Sequence, residues 1–355
     1  MKLYKLIISI SLIFIIVLTF LIVKDFRNSE RLYLGLLHYK IARDIKAQKG
    51  DVISNLNSWI LKNTFTQATT RPEYLPIDDI PSHKRLINGY SACDGMADTY
   101  IKIGSFLNIQ GYSIPLYTND FSSSPHTTVF FLNEVSAKLP ENLLTSKSLR
   151  IIDSLENIEF IDGEHKNASF LDICKKNLDL KNLEYSKKQK IGLQDYCNLK
   201  KPWGKSKPIN LQENKFKKYY YSFLDLLSDE KILTIHKLIV DLMFDDKHDI
   251  FIKARNFDIF GNTQEAKRHY QRVIDSKEID KLSSPYNGQI RVNLKKISLY
   301  FLTRLENRSK NEVAPNPFVN MRDTHEGEMY YEMYNYYSRK IENHKNLLTI
   351  NDKQY

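Results

Sequence analysis

Cysteine, glycine and proline are all scarce in this chain. Its 355 residues include three cysteines, 12 glycines and 11 prolines. Three widely spaced thiols, Cys93, Cys174 and Cys197, make no disulfide framework and leave at least one without an intramolecular partner. A bond between Cys174 and Cys197 stays open as an alternative. No Cys-x-x-Cys pair occurs, and His165, His248, His269 and His325 lack the spacing of a zinc site. No metal and no cofactor is therefore expected. So little glycine and proline argues against collagen-like or long disordered tracts. A P-loop, zinc-finger spacing and an RNP-type motif are also missing, so nucleic acid is not an expected partner.

What is present suits a globular protein with a membrane attachment. The chain is 42% hydrophobic and 26% charged, enough to form a substantial core. The net charge of +10 is dispersed in patches such as Lys187-Lys188-Gln189-Lys190 and Lys215-Phe216-Lys217-Lys218. These read as a solvated lysine-rich face, or as a surface for an acidic partner. From Leu6 to Val23 the chain is almost unbroken Leu, Ile, Val and Phe without a charge. At 1.5 Å per residue the run is about the minimum that spans a bilayer core. It ends in Leu-Ile-Val-Lys-Asp-Phe-Arg rather than in a small-residue cleavage site, which favours an uncleaved signal anchor. Lys2 and Lys5 before it are outnumbered by Lys24, Arg27 and Arg31 after it, so charge does not fix the orientation. A short tail followed by a large domain is the usual layout of a bacterial signal anchor, and an extracytoplasmic (periplasmic) domain is expected.

The middle of the chain carries the chemistry. Residues 31–49 read as a helix through Leu32, Leu36, Tyr39 and Ile45, either a juxtamembrane stalk or the first helix of the domain. Val52, Leu56, Trp59 and Ile60 repeat the helical spacing. Small and turn-forming residues, Asn88-Gly89-Tyr90-Ser91-Ala92, then lead into Cys93, Ala97, Tyr100, Gly104 and Leu107 on one helix face. A thiol at the first turn lies where unsatisfied N–H groups and the helix dipole favour thiolate. The ordinary alternative is a small buried cysteine filling a gap. Gly111–Tyr117 reads as a turn and strand. A polar loop then delivers His126 at the head of a β-rich run, and Leu149-Arg150-Ile151-Ile152 ends on Asp153. If the last two strands pair antiparallel, His126 and Asp153 meet at one sheet edge, and a carboxylate can orient an imidazole towards the thiol.

In order and spacing this stretch resembles the transglutaminase-like superfamily, which shares its core with papain-type enzymes. Cys93-x-x-x-Ala97, Tyr112-Ser113-Ile114-Pro115, His126 and Asp153 fit the family's slots. The helix Leu56-Asn57-Ser58-Trp59-Ile60 resembles the tryptophan-containing helix that precedes the family's cysteine. The match covers roughly residues 50–160. Ser91 stands where the family often has glycine, and the interval from His126 to Asp153 is longer than usual. The resemblance implies a Cys93–His126–Asp153 triad acting through a thioester on a peptide or other amide, with a peptide or protein as substrate.

Beyond about Leu211 the pattern is helical. Ala254, Phe257, Ala266 and Tyr270 have the offsets of one tetratricopeptide-type hairpin, without a second copy at the expected period. Met329, Tyr330, Met333, Tyr334 and Tyr337 follow as an aromatic stripe at helical spacing that reads as core or domain-interface packing. Paired acids at Asp78-Asp79, Asp245-Asp246 and Glu156/Glu159 read as solvated surface. The expected architecture is α+β: an anchor in residues 1–30, a papain/transglutaminase-like domain in 31–200, and an α-helical domain in 201–355 suited to a protein partner. The rival to an enzyme is a non-catalytic membrane-tethered scaffold that binds a protein or a polyanionic polymer.

Overall fold

The computed structural model describes residues 26–66, 86–87, 90–91, 93–117, 126–132, 142–154, 157–160, 169–171, 198–199, 204–206, 208, 215–244, 249–277, 294–308, 313–324 and most of 327–342. The apolar run Leu6–Val23, Cys174, Cys197 and the lysines at 187–190 lie outside the described residues. Among the described residues no helix is long and apolar enough to cross a membrane.

Helix α1, Phe26–Lys46, buries Leu36, Leu37, Tyr39, Ile41, Ala42 and Ile45. That wraps more than one face of the helix, so α1 is the domain's first helix and not a free stalk. Helix α2, Val52–Asn63, starts at Asp51, whose carboxylate accepts the Ser54 N–H at 2.8 Å. Two short strands, β1 (Phe65–Thr66) and β2 (Tyr90–Ser91), pair in parallel just ahead of helix α3, Cys93–Phe106.

The sheet is built on three longer antiparallel strands, β3 (Gly111–Tyr117), β4 (His126–Leu132) and β5 (Leu149–Asp153), in the order β5-β4-β3. Their β-branched and aromatic residues suit a pleated, half-buried surface. Short strand β6 (Ile158–Glu159) extends the β5 side, while β7 (Asn198–Leu199) and β8 (Gly204–Ser206) share the free side of β3. Helix α3 lies against this sheet, where Val129, Phe131 and Ile152 join Met96, Ala97, Tyr100 and Ile101 in one apolar cluster. Contact is close because Gly104 and Gly111 bracket the Phe131 ring. A Cβ on either would stand 2.8 or 2.7 Å from it.

Among the described residues the helices α4 (Lys215–Asp225), α5 (Asp229–Met243), α6 (Ile250–Phe260), α7 (Thr263–Asp275) and α8 (Leu294–Arg308) follow. The turn between α6 and α7 uses Gly261 at φ 88°, and the Asn262 side chain caps α7 by accepting from Glu265 N. Ala254, Phe257, Ala266 and Tyr270 are all buried in the groove of this hairpin. The aromatic stripe is core as well, since Tyr300 meets both Tyr334 and Tyr337 edge-on.

The regular elements described beyond β8 are helical, and they share a core with the first half. Tyr221, Leu224, Ile232, Ile252 and Phe260 belong to the same cluster as α1, α3 and the sheet. Two buried arginines stitch the halves together. Arg255 on α6 donates to the carbonyls of Leu86, Ile87 and Asn63. Arg304 on α8 donates to the carbonyl of Leu61 at 2.8 Å and lies 3.9 Å from the Tyr337 ring.

Candidate active site

Cys93 is the first residue of α3, a free thiol and only partly buried. The helix begins there because β2 ends two residues earlier and Asp94 occupies the first turn, its carboxylate accepting the Gly95 N–H at 2.7 Å. Asp94 shares the field of the helix N-terminus with the thiol and adds a negative charge next to it.

His126 is placed by its backbone: it opens β4 opposite Leu116. Asp153 closes β5, is 3% exposed, and pairs with Thr128, two positions after His126. Such a diagonal corresponds to about 7–8 Å between backbones. Strand alternation gives Ile152 to the α3 side, so Asp153 falls on the other face with Thr128. The backbone brings all three positions to the same end of the sheet.

Two sets of contacts that the sequence did not advertise hold this end together. Ser154 is fully buried one step beyond the last pair of the β4–β5 ladder. Its hydroxyl lies 2.9 Å from the Cys93 carbonyl and 2.8 Å from the Thr127 carbonyl, and its single proton is shared between them. Ser154 follows Asp153 and Thr127 follows His126, so one side chain ties together the neighbours of all three candidates.

The second set fixes the turn after Asp153. Asn157 adopts φ 57° there and returns its N–H to the Asp153 carbonyl at 2.9 Å. Its amide nitrogen donates to Tyr100 Oη at 2.7 Å, Tyr100 donates to Asn57 Oδ1, and Asn57 donates to the Asn157 carbonyl at 2.7 Å. This closed triangle joins α2, α3 and the turn. Burial pushes the Tyr100 phenol well above its ordinary value, against a smaller opposing effect of the Asn157 hydrogen bond, so it stays a donor. An asparagine on a helix, a tyrosine four residues before a glycine and an asparagine in a turn carry no individual signal in sequence. Only the fold makes them partners.

Other residues singled out in the sequence have structural partners. Glu159 forms an ion pair with Arg150, which also reaches Asp51 and Ser54 of α2, so it pins the sheet to that helix. His269 is buried and its Nδ1 lies 2.8 Å from the Glu265 carbonyl within α7. Among the described residues no group of three or more His, Cys, Asp or Glu side chains could hold a metal ion. His165, His248, His325, Asp78-Asp79, Asp245-Asp246 and Glu156 lie outside the described residues. No family model, no curated protein and no solved structure matches this chain.

Proposed function

We propose that this protein is a membrane-anchored thiol enzyme that cleaves or transfers peptide or other amide bonds through a thioester on Cys93. Its anchor would be residues 6–23, with the folded domain on the extracytoplasmic side. The reading rests on one observation: the Ser154 hydroxyl touches the Cys93 carbonyl and the carbonyl beside His126, while Ser154 itself adjoins Asp153. A gap-filling cysteine has no need of a strand beginning in histidine and a strand ending in a buried carboxylate at its helix start.

In this mechanism His126 takes the thiol proton and the sulfur attacks the amide carbonyl carbon. The resulting oxyanion would take the Cys93 or Asp94 backbone N–H, since Gly95 N–H is already given to the Asp94 carboxylate. The C–N bond then breaks, His126 returns its proton to the departing amine, and the acyl group stays on sulfur. Water or a second amine, deprotonated by His126, attacks the thioester and restores the thiol. Asp153 holds the imidazole tautomer throughout. Hydrolysis and transamidation share every step up to the acceptor.

Alkylation tests this directly. In a short iodoacetamide pulse near neutral pH, Cys93 should react well ahead of Cys174 and Cys197, and faster than a free thiol of pKa about 8.5. His126→Ala should remove the advantage and Asp153→Asn should weaken it. If Cys93 in the folded protein is the slowest of the three, the enzyme gives way to the tethered scaffold.

A further inference from the structure

The sheet face turned away from α3 is mainly apolar. Ile114 of β3, Phe130 of β4 and Ile151 of β5 are buried on it, and the Phe170 ring lies 5.8 Å from that of Phe130. At the end tied to Cys93 through Ser154, two polar side chains interrupt this face. They are Thr128 and Asp153, each 3% exposed and directly opposite one another across the β4–β5 ladder. Position 126, two residues before Thr128, falls on the same face by strand alternation.

Thr128 differs from other buried threonines. Its hydroxyl has no hydrogen-bond partner among the described residues. Thr64 and Thr99 show the ordinary solution, donating to the Ile60 and Gly95 carbonyls at 2.8 and 2.9 Å. A helix offers such a carbonyl one turn back and a strand does not, so a strand threonine needs a partner on a neighbour. Leaving a buried hydroxyl unpaired is unfavourable, and valine would fill the same branched shape without that penalty.

The register supplies an acceptor. Directly opposite residues have Cβ atoms about 4.5–5.5 Å apart, so a χ1 rotation of Thr128 brings its oxygen to hydrogen-bond distance of the Asp153 carboxylate with neither backbone moving. On the other side Thr128 pairs with Ile114, which offers nothing polar. A carboxylate has two oxygens. In the thiol mechanism one of them accepts the N–H of the His126 ring. A hydroxyl donated to the other keeps the carboxylate ionised and stops it from turning.

We infer that Thr128 is a positioning residue for the thiol chemistry: its hydroxyl donates to Asp153 and so holds the carboxylate that orients His126. The inference rests on the reading of Cys93 as a nucleophile. Thr128 acts through Asp153 and takes no proton in the reaction.

The test compares the full-length protein with its Thr128→Val, Thr128→Ser and His126→Ala variants. Short iodoacetamide pulses read by mass spectrometry give the Cys93 rate across the pH range in which thiol and imidazole titrate, beside a thermal melt. Thr128→Val should melt no lower than the wild type, because it removes a hydroxyl without a structural partner. Its Cys93 profile should nonetheless move up by about one pH unit, with a rate about ten-fold lower on the acid limb, since a loosened Asp153 stabilises the imidazolium, and with it the thiolate, less well. Thr128→Ser should keep the wild-type profile. Neither substitution alters a charge: Asp94 beside the thiol, Asp98 with Lys102, and Glu159 with Arg150 stay as they are. A Thr128→Val profile that superimposes on the wild type, while His126→Ala still shifts, would overturn the positioning role and leave the thiol reading standing. A Thr128→Val melt several degrees lower would overturn it by assigning the hydroxyl to the fold. A Thr128→Ser profile as shifted as that of Thr128→Val would do so by assigning the shift to packing. If His126→Ala matches the wild type, the thiol reading fails and the role of Thr128 with it.

Discussion

Replacing Ser154 with alanine should slow Cys93 chemistry far more than it lowers stability. The substitution removes one buried hydroxyl and little volume. The Cys93 carbonyl keeps its place at the head of the α3 hydrogen-bond ladder. The Thr127 carbonyl, one step past the last β4–β5 pair, loses the donor that Ser154 supplied. Such a loss costs about 1–2 kcal/mol. With an unfolding entropy of about 2.1 cal/mol/K per residue, that shifts Tm by about 2 °C in a chain of this size. The functional cost follows a different rule. Without the shared proton, the hydrogen bond that ties the α3 N-terminus to the start of β4 is lost and only apolar packing remains, and a displacement of about 1 Å between reacting groups can cost about 100-fold. Pulsed alkylation read by mass spectrometry, beside a thermal melt, measures both. Ser154→Ala should bring the Cys93 rate close to that of His126→Ala, and Ser154→Thr, which keeps the hydroxyl, should restore most of it. An unchanged Cys93 rate in Ser154→Ala would refute the positioning argument, whatever the melt shows.

Other consequences concern the shared core. Arg255→Met strands the carbonyls of Leu86, Ile87 and Asn63 and halves the cationic partners of Asp258. It should cost about 3–5 kcal/mol in urea unfolding, and a loss below about 1 kcal/mol would contradict the stitching role. His236 is stacked on Phe260, is hydrogen-bonded to Tyr33, and is held well below its ordinary pKa by burial, with Lys40 adding to the effect. The unfolded state then takes up a proton that the folded state refuses. Stability should fall by about 1.4 kcal/mol per pH unit as the pH drops below about 6.5, and His236→Gln should flatten that slope. Trypsin should cut among the lysines between 187 and 205, yet the nicked halves should co-elute in native buffer and separate only in urea. Separation in native buffer would mean that the buried arginine contacts do not hold the halves together.

The order of elements in the middle of the chain was legible because each is short, strongly patterned and bounded by turn residues. Cys93–Phe106, Gly111–Tyr117, His126–Leu132 and Leu149–Asp153 have the bounds their sequence patterns suggest. The α+β class follows from the same segments. The register was not legible: that Asp153 pairs with Thr128, and not with a residue nearer the edge, depends on the length of the β4–β5 connection. Ser154 and the Asn57–Tyr100–Asn157 triangle escaped sequence reading because common polar residues announce a hydrogen bond only once their partners are known. The reading of residues 31–49 as stalk or core failed to decide for a related reason. Its apolar residues fit either role, and what decides between them is that His38 and Lys40 are buried as well, Lys40 paired with Asp44.

The division at residue 200 rested on the helical pattern that begins at about Leu211, although β8 at Gly204–Ser206 still joins the sheet. What it could not see is that arginine, a residue read as surface by default, is used twice at the centre of the fold. Arg255 spends its donors on three carbonyls from the first half and on Asp258 and Tyr270 from the second. Burial alone would raise Asp258, but Arg308 and Arg255 with the Tyr270 hydroxyl hold it below the usual carboxylate range, so the charge stays in place to anchor the guanidinium. Two of those carbonyls, at Leu86 and Ile87, lie seven and six residues before Cys93, on the approach to the α3 start. The helical half therefore does more than follow the thiol domain. Removing the carbonyl contacts in Arg255→Lys, which keeps the charge but loses the planar fork, should loosen that approach. Amide hydrogen exchange at Tyr90 and Ser91 should quicken in this variant relative to exchange in α7. If exchange instead rises equally throughout the molecule, the arginine stabilises the fold as a whole and has no particular hold on the segment leading to Cys93.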